Sequence, residues 1–350
     1  MATRRIGVAA ALAAGLAAVA AGCGGGGTTD TTATATGATT GAKPVSVVLV
    51  TDINQLNDHG FNHLAYVGMK RAVSQLGVVG NVYQSASAAD YIPNLTKAAR
   101  DGADLVISVG YAQADAVATA AKQFPKTHFA IIDVDRATLT GKPRNVEGLL
   151  FREQEVGYLA GYLAGLVAKA APGPDVIGST GGQKQPPVDR YIAGYQAGAK
   201  AADPGIKLLN GYSQDWVDIA KCKQLALDQI SAGSTIEFQV AGGCGLGTLD
   251  AAKEKGVWGI GVDADQSYLG PQVLTSAMKR VDTAVFLTIK QVQDGMFHGG
   301  TNAVFGLKDG GVGLGKISPK VPKADVAKVA AIRQQIIDGK IAKIPTVVGG

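Results

Sequence analysis

The chain has 350 residues, 46% of them hydrophobic and 17% charged, a globular composition long enough for two domains of ordinary size. Its net charge is only +5, with Lys and Arg spread along the chain and no basic run interleaved with aromatics, which argues against a nucleic-acid partner.

The first 22 residues read as a signal peptide: Arg4 and Arg5, then an Ala-rich apolar run, then small residues. The run is short and poor in large apolar side chains for a membrane span. "AAGC" resembles a lipobox, with Ala20 where Leu is usual, and predicts acylation (palmitate included) of Cys23. A secreted protein with an incidental Cys23 is the alternative. Residues 23–43 then hold Gly, Thr and Ala, with no aromatic and almost no charge, so they bury too little apolar surface to order themselves. Such a linker reaches about 25 Å. It suits a domain tethered to the extracytoplasmic face of the cell membrane.

From residue 44 the pattern alternates. "VSVVLVTD" (45–52) is a continuous apolar run, the mark of a strand buried on both faces. A helix follows from Phe61 to Leu76, then strand "NVYQSA", helix "YIPNLTKAARDGA", strand "DLVISVG", helix "QADAVATAAKQFP", and strands "HFAIIDVD" and "NVEGLLF". The order predicts a mostly parallel, doubly wound α/β sheet. The helix "REQEVGYLAGYLAGLVAKA" starts a second cycle with strands "DVIGSTG", "IKLLNGY", "TIEFQVA" and "WGIGVDAD" and helices near 187–202, 217–231 and 245–255. Similar cycles predict two similar lobes, taken as 44–152 plus 266–303 and 153–265 plus 304–350. The last strands and helices (282–295 and 323–339) are too few for a third lobe and are expected to complete both sheets. No transmembrane segment is expected after the signal.

Cys222 lies in the helical stretch "DIAKCKQLALDQI", and Cys244 in a Gly-rich turn after the next strand. In an exported chain such cysteines are expected to pair; two free buried thiols are the alternative.

Doubly wound sheets bind ligands at the carboxyl ends of their strands. Apolar runs end there in Asp52, Asp133 and Asp263. Each suits a helix N-cap, but carboxylates from both lobes together point to a shared cleft. Phe61 and Trp216 stand in loops after strands, suited either to packing at a helix start or to gripping a planar ring from both sides. "GGCGLG" (242–247) matches neither a dinucleotide fingerprint nor a Walker loop; its glycines suit close approach of backbone to a ligand. His59, His63, His128 and His298 show no metal-ligand spacing, and no catalytic constellation announces itself.

The stretches "TDINQLNDHGFN", "FREQEVGYLAGYLAGL", "AGGCGLGTLDAAKEKGVWGIGVDADQ" and "VLTSAMKRV" resemble the BMP family of lipoproteins, the basic-membrane-protein or purine-nucleoside-receptor group, over about residues 45–345. The resemblance implies a type I periplasmic-binding-protein fold: two doubly wound parallel-sheet lobes joined by a multi-strand hinge. It implies a substrate-binding lipoprotein of an ABC importer, monomeric and not an enzyme, with no cofactor or metal, served by permease and ATPase subunits. On the family pattern the ligand, a nucleoside with purine favoured, meets Asp52, Phe61, Asn62, Asp133, Trp216, Gly243, Asp263 and Lys279. Cys244 stands where the family often has a small hydroxyl residue. Phe61 would stack a base, Asn62 read its edge, and the carboxylates accept from base N–H or ribose O–H groups. A sugar or other small metabolite, an adhesion or signalling role at the surface, and an α/β nucleoside hydrolase remain as other readings.

Overall fold

The computed structural model describes residues 43–54 and 56–349. The expected signal peptide, Cys23 and nearly all of the linker lie outside the described residues. The first lobe is built from β1 (Ser46–Val50), α1 (Phe61–Leu76), β2 (Val79–Tyr83), α2 (Tyr91–Arg100), β3 (Leu105–Ser108), α3 (Ala114–Gln123), β4 (His128–Ile132) and β5 (Val146–Phe151). Every residue of β3 is buried, as are Val47–Val50 of β1, because helices cover both faces of the sheet.

The second cycle comprises α4 (Glu153–Ala170), β6 (Val176–Gly181), α5 (Pro186–Ala202), β7 (Lys207–Leu208), β8 (Gly211–Tyr212), α6 (Ile219–Ser231), β9 (Ile236–Val240), α7 (Leu246–Lys255), β10 (Trp258–Asp263) and β11 (Val273–Lys279). The stretch expected to be one strand at "IKLLNGY" is interrupted. Lys207 and Gly211 both pair with β6, and Leu209 between them keeps backbone bonds to Ile177 and Ser179, but the Ser179 carbonyl accepts from the Gln229 side chain there. The chain ends with α8 (Val281–Gln293), β12 (Asn302–Phe305), β13 (Val312–Leu314) and α9 (Lys323–Ile337).

The first sheet has six strands in the order β12-β5-β4-β3-β1-β2 and is parallel throughout. The second has the order β13-β11-β10-β9-β6-β7, with β8 beside β6; it is parallel except for β13 on β11. The orders match position for position, so β4 corresponds to β10 and β3 to β9. The tail completes both sheets as expected.

The expected division of the chain at residue 266 needs correcting. β11 continues from β10 as the next parallel strand of the second sheet, so the chain leaves that sheet at Lys279. It crosses between the sheets at Phe151–Glu153, at Lys279–Val281 and between β12 and β13, which makes the hinge multi-stranded. Beside the first crossing α4 and α5 pack backbone to backbone: a β-carbon on Gly161 would overlap the Tyr195 carbonyl, and one on Gly198 would stand 2.8 Å from the carbonyl carbon of Tyr158. That contact fixes α5, and with it the residues α5 sends toward the other lobe. No described helix is long and apolar enough to cross a membrane.

Candidate ligand-binding cleft

The carboxyl ends of both sheets meet at a cleft open to solvent, where a doubly wound fold is expected to take its ligand. Asp52, Phe61, Asp133, Trp216, Asp263 and Lys279 all line it. Asn62 and Gly243 do not.

Asp52 follows β1. Its Oδ1 accepts from Asn62 Nδ2 at 2.7 Å and from the Asn54 N–H at 2.9 Å. Its Oδ2 stands beside Gly110, whose missing side chain (φ +111) leaves room for it. Burial pushes the Asp52 carboxyl up to about 6, against those hydrogen bonds. Asn62 is fully buried and also donates to the Asn54 carbonyl at 3.0 Å. It therefore orients Asp52 and does not reach the cleft as expected. The reason is its place on the buried side of the first turn of α1, while the neighbouring Phe61 faces the cleft. The loop is anchored by Asp58, which accepts from the N–H groups of Gly60, Asn62 and His63.

Asp133 and Asp263 both sit at positive φ, 72° and 61°, a conformation uncommon for residues with a β-carbon. Both are buried. Lys279 Nζ approaches Asp133 Oδ1 at 2.6 Å and Glu153 Oε1 at 3.1 Å, and Glu153 Oε2 accepts from Arg190 Nε at 2.8 Å. The result is a chain of alternating charge, Asp133–Lys279–Glu153–Arg190, buried up to the half-buried Arg190 and running through two of the three crossing segments. Burial raises the Asp133 carboxyl, and Lys279 opposes it. Burial also disfavours the Lys279 ammonium, but Asp133, Glu153 and Asp263 outweigh it and raise its pKa. The ammonium further lies 5.0 Å from the Phe61 ring centroid and 4.9 Å from that of Phe151.

Asp263 has no comparable partner. Tyr191 Oη stands 3.4 Å from its Oδ1. Burial pushes its carboxyl up to about 7; Lys279 pulls it down, while Asp133, Asp58 and Glu153 push it further up.

On the other wall, Trp216 and Gly242 line the cleft. Gly243 was expected to give the close approach, but it lies behind the lining, where a β-carbon would meet the Trp216 carbonyl oxygen at 3.4 Å. Gly242 lines the cleft itself and sits at φ 56°. The expected disulfide is present: Cys222 and Cys244 are joined, fully buried, with Cα atoms 5.6 Å apart. It ties α6 to the turn carrying Gly242.

Further lining residues, Asn54, Tyr111, Gln185 and Tyr191 among them, were not singled out from the sequence. Gln185 was findable, since it follows β6 as Asp52 follows β1. Glu153 lies inside "FREQEVG", but only the crossing geometry shows why an acid there is buried. Among the described residues no group of three or more His, Cys, Asp or Glu side chains is placed to hold a metal ion.

The Bmp family model, described as ABC transporter substrate-binding protein PnrA-like, matches residues 45–346. The chain belongs to the Bmp family. It is 35% identical over 331 residues to the CD4+ T-cell-stimulating antigen of Listeria innocua, covering 88% of this chain and 90% of that one. It is 35% identical over 319 residues to the ABC transporter nucleoside-binding protein BmpA of Lactococcus lactis, covering 85% and 88%. Among solved structures it resembles an ABC transporter solute-binding protein of Aeropyrum pernix, with a TM-score of 0.77, 27% identity, and 85% and 92% of the two chains covered. The Bmp protein described here is thus an ABC transporter substrate-binding protein with a periplasmic-binding-protein fold, from a binding family and not an enzymatic one.

Proposed function

We propose that this Bmp protein binds a nucleoside, purine favoured, and delivers it to the permease and ATPase of an importer. The observation that carries the reading is the cleft itself: Phe61 from one lobe and Trp216 from the other line it together with the carboxylates of Asp52 and Asp263. A planar base offers two faces for stacking, each worth roughly 1–3 kcal/mol. Base N–H and ribose O–H groups supply the donors that Asp52 Oδ2 and Asp263 need. The Lys279 ammonium is engaged by Asp133 and Glu153, so a phosphate would meet carboxylates without a free cation. The Lactococcus lactis relative is named a nucleoside-binding protein, which supports the same ligand class. Cys23 is the proposed lipid anchor, holding the chain as a monomer on the extracytoplasmic face of the cell membrane.

Calorimetry on protein lacking residues 1–23 tests the ligand. A panel of nucleosides, free bases, monophosphates and pentoses should give tightest binding for a nucleoside. Equal or better binding of a monophosphate or a pentose would overturn the assignment. Replacing Cys23 with Ala should move the full chain out of the membrane fraction; retention after a high-salt wash would refute the anchor.

A further inference from the structure

Trp216 is carried by an irregular loop between β8 and α6, so something other than secondary structure must fix its ring. Gly182, the residue after β6, lies directly behind it. A β-carbon on Gly182 would stand 2.5 Å from Cε3 and 2.9 Å from Cη2 of Trp216, so the six-membered part of the indole occupies the place of a side chain. The Gly182 backbone cannot retreat. Its N–H donates to the Val240 carbonyl at 2.9 Å, and its carbonyl accepts from the Gln214 N–H at 2.8 Å. Its φ is not in the left-handed range, so glycine is required here for space and not for conformation. Gly182 is absent from the cleft lining, which leaves the indole between it and the ligand's place. On the backbone side, the Trp216 carbonyl accepts from the Cys244 N–H at 2.9 Å, and the disulfide holds that turn to α6.

We propose that Gly182 is a positioning residue that seats the Trp216 indole, setting the depth of the cleft's aromatic wall and hence its affinity for a planar ligand. A methyl group at Gly182 overpacks a contact whose backbone is clamped from both sides, so the indole must move. The consequence for affinity rests on the proposed reading that a planar ring stacks on Trp216; the seating of the indole does not.

The chain has two tryptophans, Trp216 and Trp258, so Trp258→Phe leaves Trp216 as the only indole emitter. In that background Gly182→Ala should shift the emission of the empty protein and change its acrylamide quenching. It should also weaken binding of inosine and guanosine by about tenfold or more, the loss of one stacking face. The variant Gly182→Ala/Trp216→Phe has a smaller ring with room for the methyl. If Gly182 acts through the indole, this double variant should bind within about threefold of Trp216→Phe alone, because the two changes share one contact. Unchanged emission and affinity in Gly182→Ala would overturn the proposal. So would misfolding of Gly182→Ala that Trp216→Phe does not rescue. If the parent protein binds no nucleoside, the ligand reading fails, while the emission and quenching of Gly182→Ala still decide whether Gly182 seats the indole.

Discussion

Asp133 and Asp263 stand at equivalent places in the two lobes, at the ends of the third strands of matching sheet orders, each at positive φ and each buried. Their surroundings differ. Asp133 has the Lys279 ammonium at 2.6 Å, while Asp263 has a Tyr191 hydroxyl at 3.4 Å. One scaffold position thus serves two ends: in the first lobe it closes a charge chain through the hinge, and in the second it leaves an acceptor facing the cleft. The aromatic walls divide in the same way. Phe61 is the first residue of α1 and is held by that helix, whereas Trp216 depends on Gly182 and on the disulfide-anchored turn. The second lobe therefore draws from Gly182 and the disulfide the support that the first obtains from a helix.

The largest effect expected from breaking this contrast is in the first lobe's network. Lys279→Met leaves Asp133 and Glu153 buried without their shared cation and should cost about 3–5 kcal/mol of stability, read by urea denaturation. Adding Asp133→Asn should recover part of that loss. No recovery would mean that Glu153 alone sets the cost. Next comes the disulfide. Replacing Cys222 and Cys244 by Ser opens a loop of sequence separation 22 and should lower stability by about 3 kcal/mol. Affinity should fall as well, because the Trp216 loop loses its anchor; a stability loss with unchanged affinity would show that the turn holds its shape unaided. The acids themselves should then separate. Asp263→Asn should weaken nucleoside binding by about 1–3 kcal/mol with little change in the melting point of the empty protein. Asp133→Asn should lower both, since it frees Lys279 in a buried place. The comparison breaks if the two variants behave alike.

The two-lobed α/β fold was legible because fully buried parallel strands leave continuous apolar runs, and the strand-end acids were legible because they close those runs. Phe61 and Trp216 stood out as large aromatics in polar loops. What escaped the sequence depends on side-chain direction and on crossings. Asn62 and Phe61 are neighbours on one helical turn, and which of them faces the cleft is set by the docking of α1, which local sequence does not encode. Gly242, at φ 56°, lines the cleft and Gly243 does not, a difference that two adjacent glycines do not signal in the sequence. The residue pattern of β11 does not tell which lobe it joins, because a parallel strand in either sheet reads the same. Glu153 and Arg190 meet through the close packing of α4 on α5, a contact between residues far apart in the chain.

The smallest expected effect, and the one that most sharpens the contrast between the acids, is in pH dependence. In an unfolded chain aspartates titrate near about 4. In the folded, empty protein burial holds protons on Asp52 up to about 6 and on Asp263 up to about 7. Between the unfolded and folded values the native state binds more protons than the unfolded one, so these groups make the empty protein less stable as pH rises from about 4 to about 7. Binding should run the other way. A ligand that donates to Asp52 and Asp263 favours the ionised carboxylates, so affinity should rise as pH passes through about 6 and about 7 and then level off. Asp263→Asn cannot titrate and should lose the upper part of that rise while keeping the lower part, which belongs to Asp52. Asp133→Asn should keep both, with the upper rise moved to lower pH, because Asp133 is paired with Lys279 and helps to hold the Asp263 carboxyl up. Calorimetric affinities for inosine across pH 5 to 8 in the parent and both variants distinguish the acids directly. A flat parent profile, or an upper rise that survives Asp263→Asn, would show that Asp263 does not accept from the ligand.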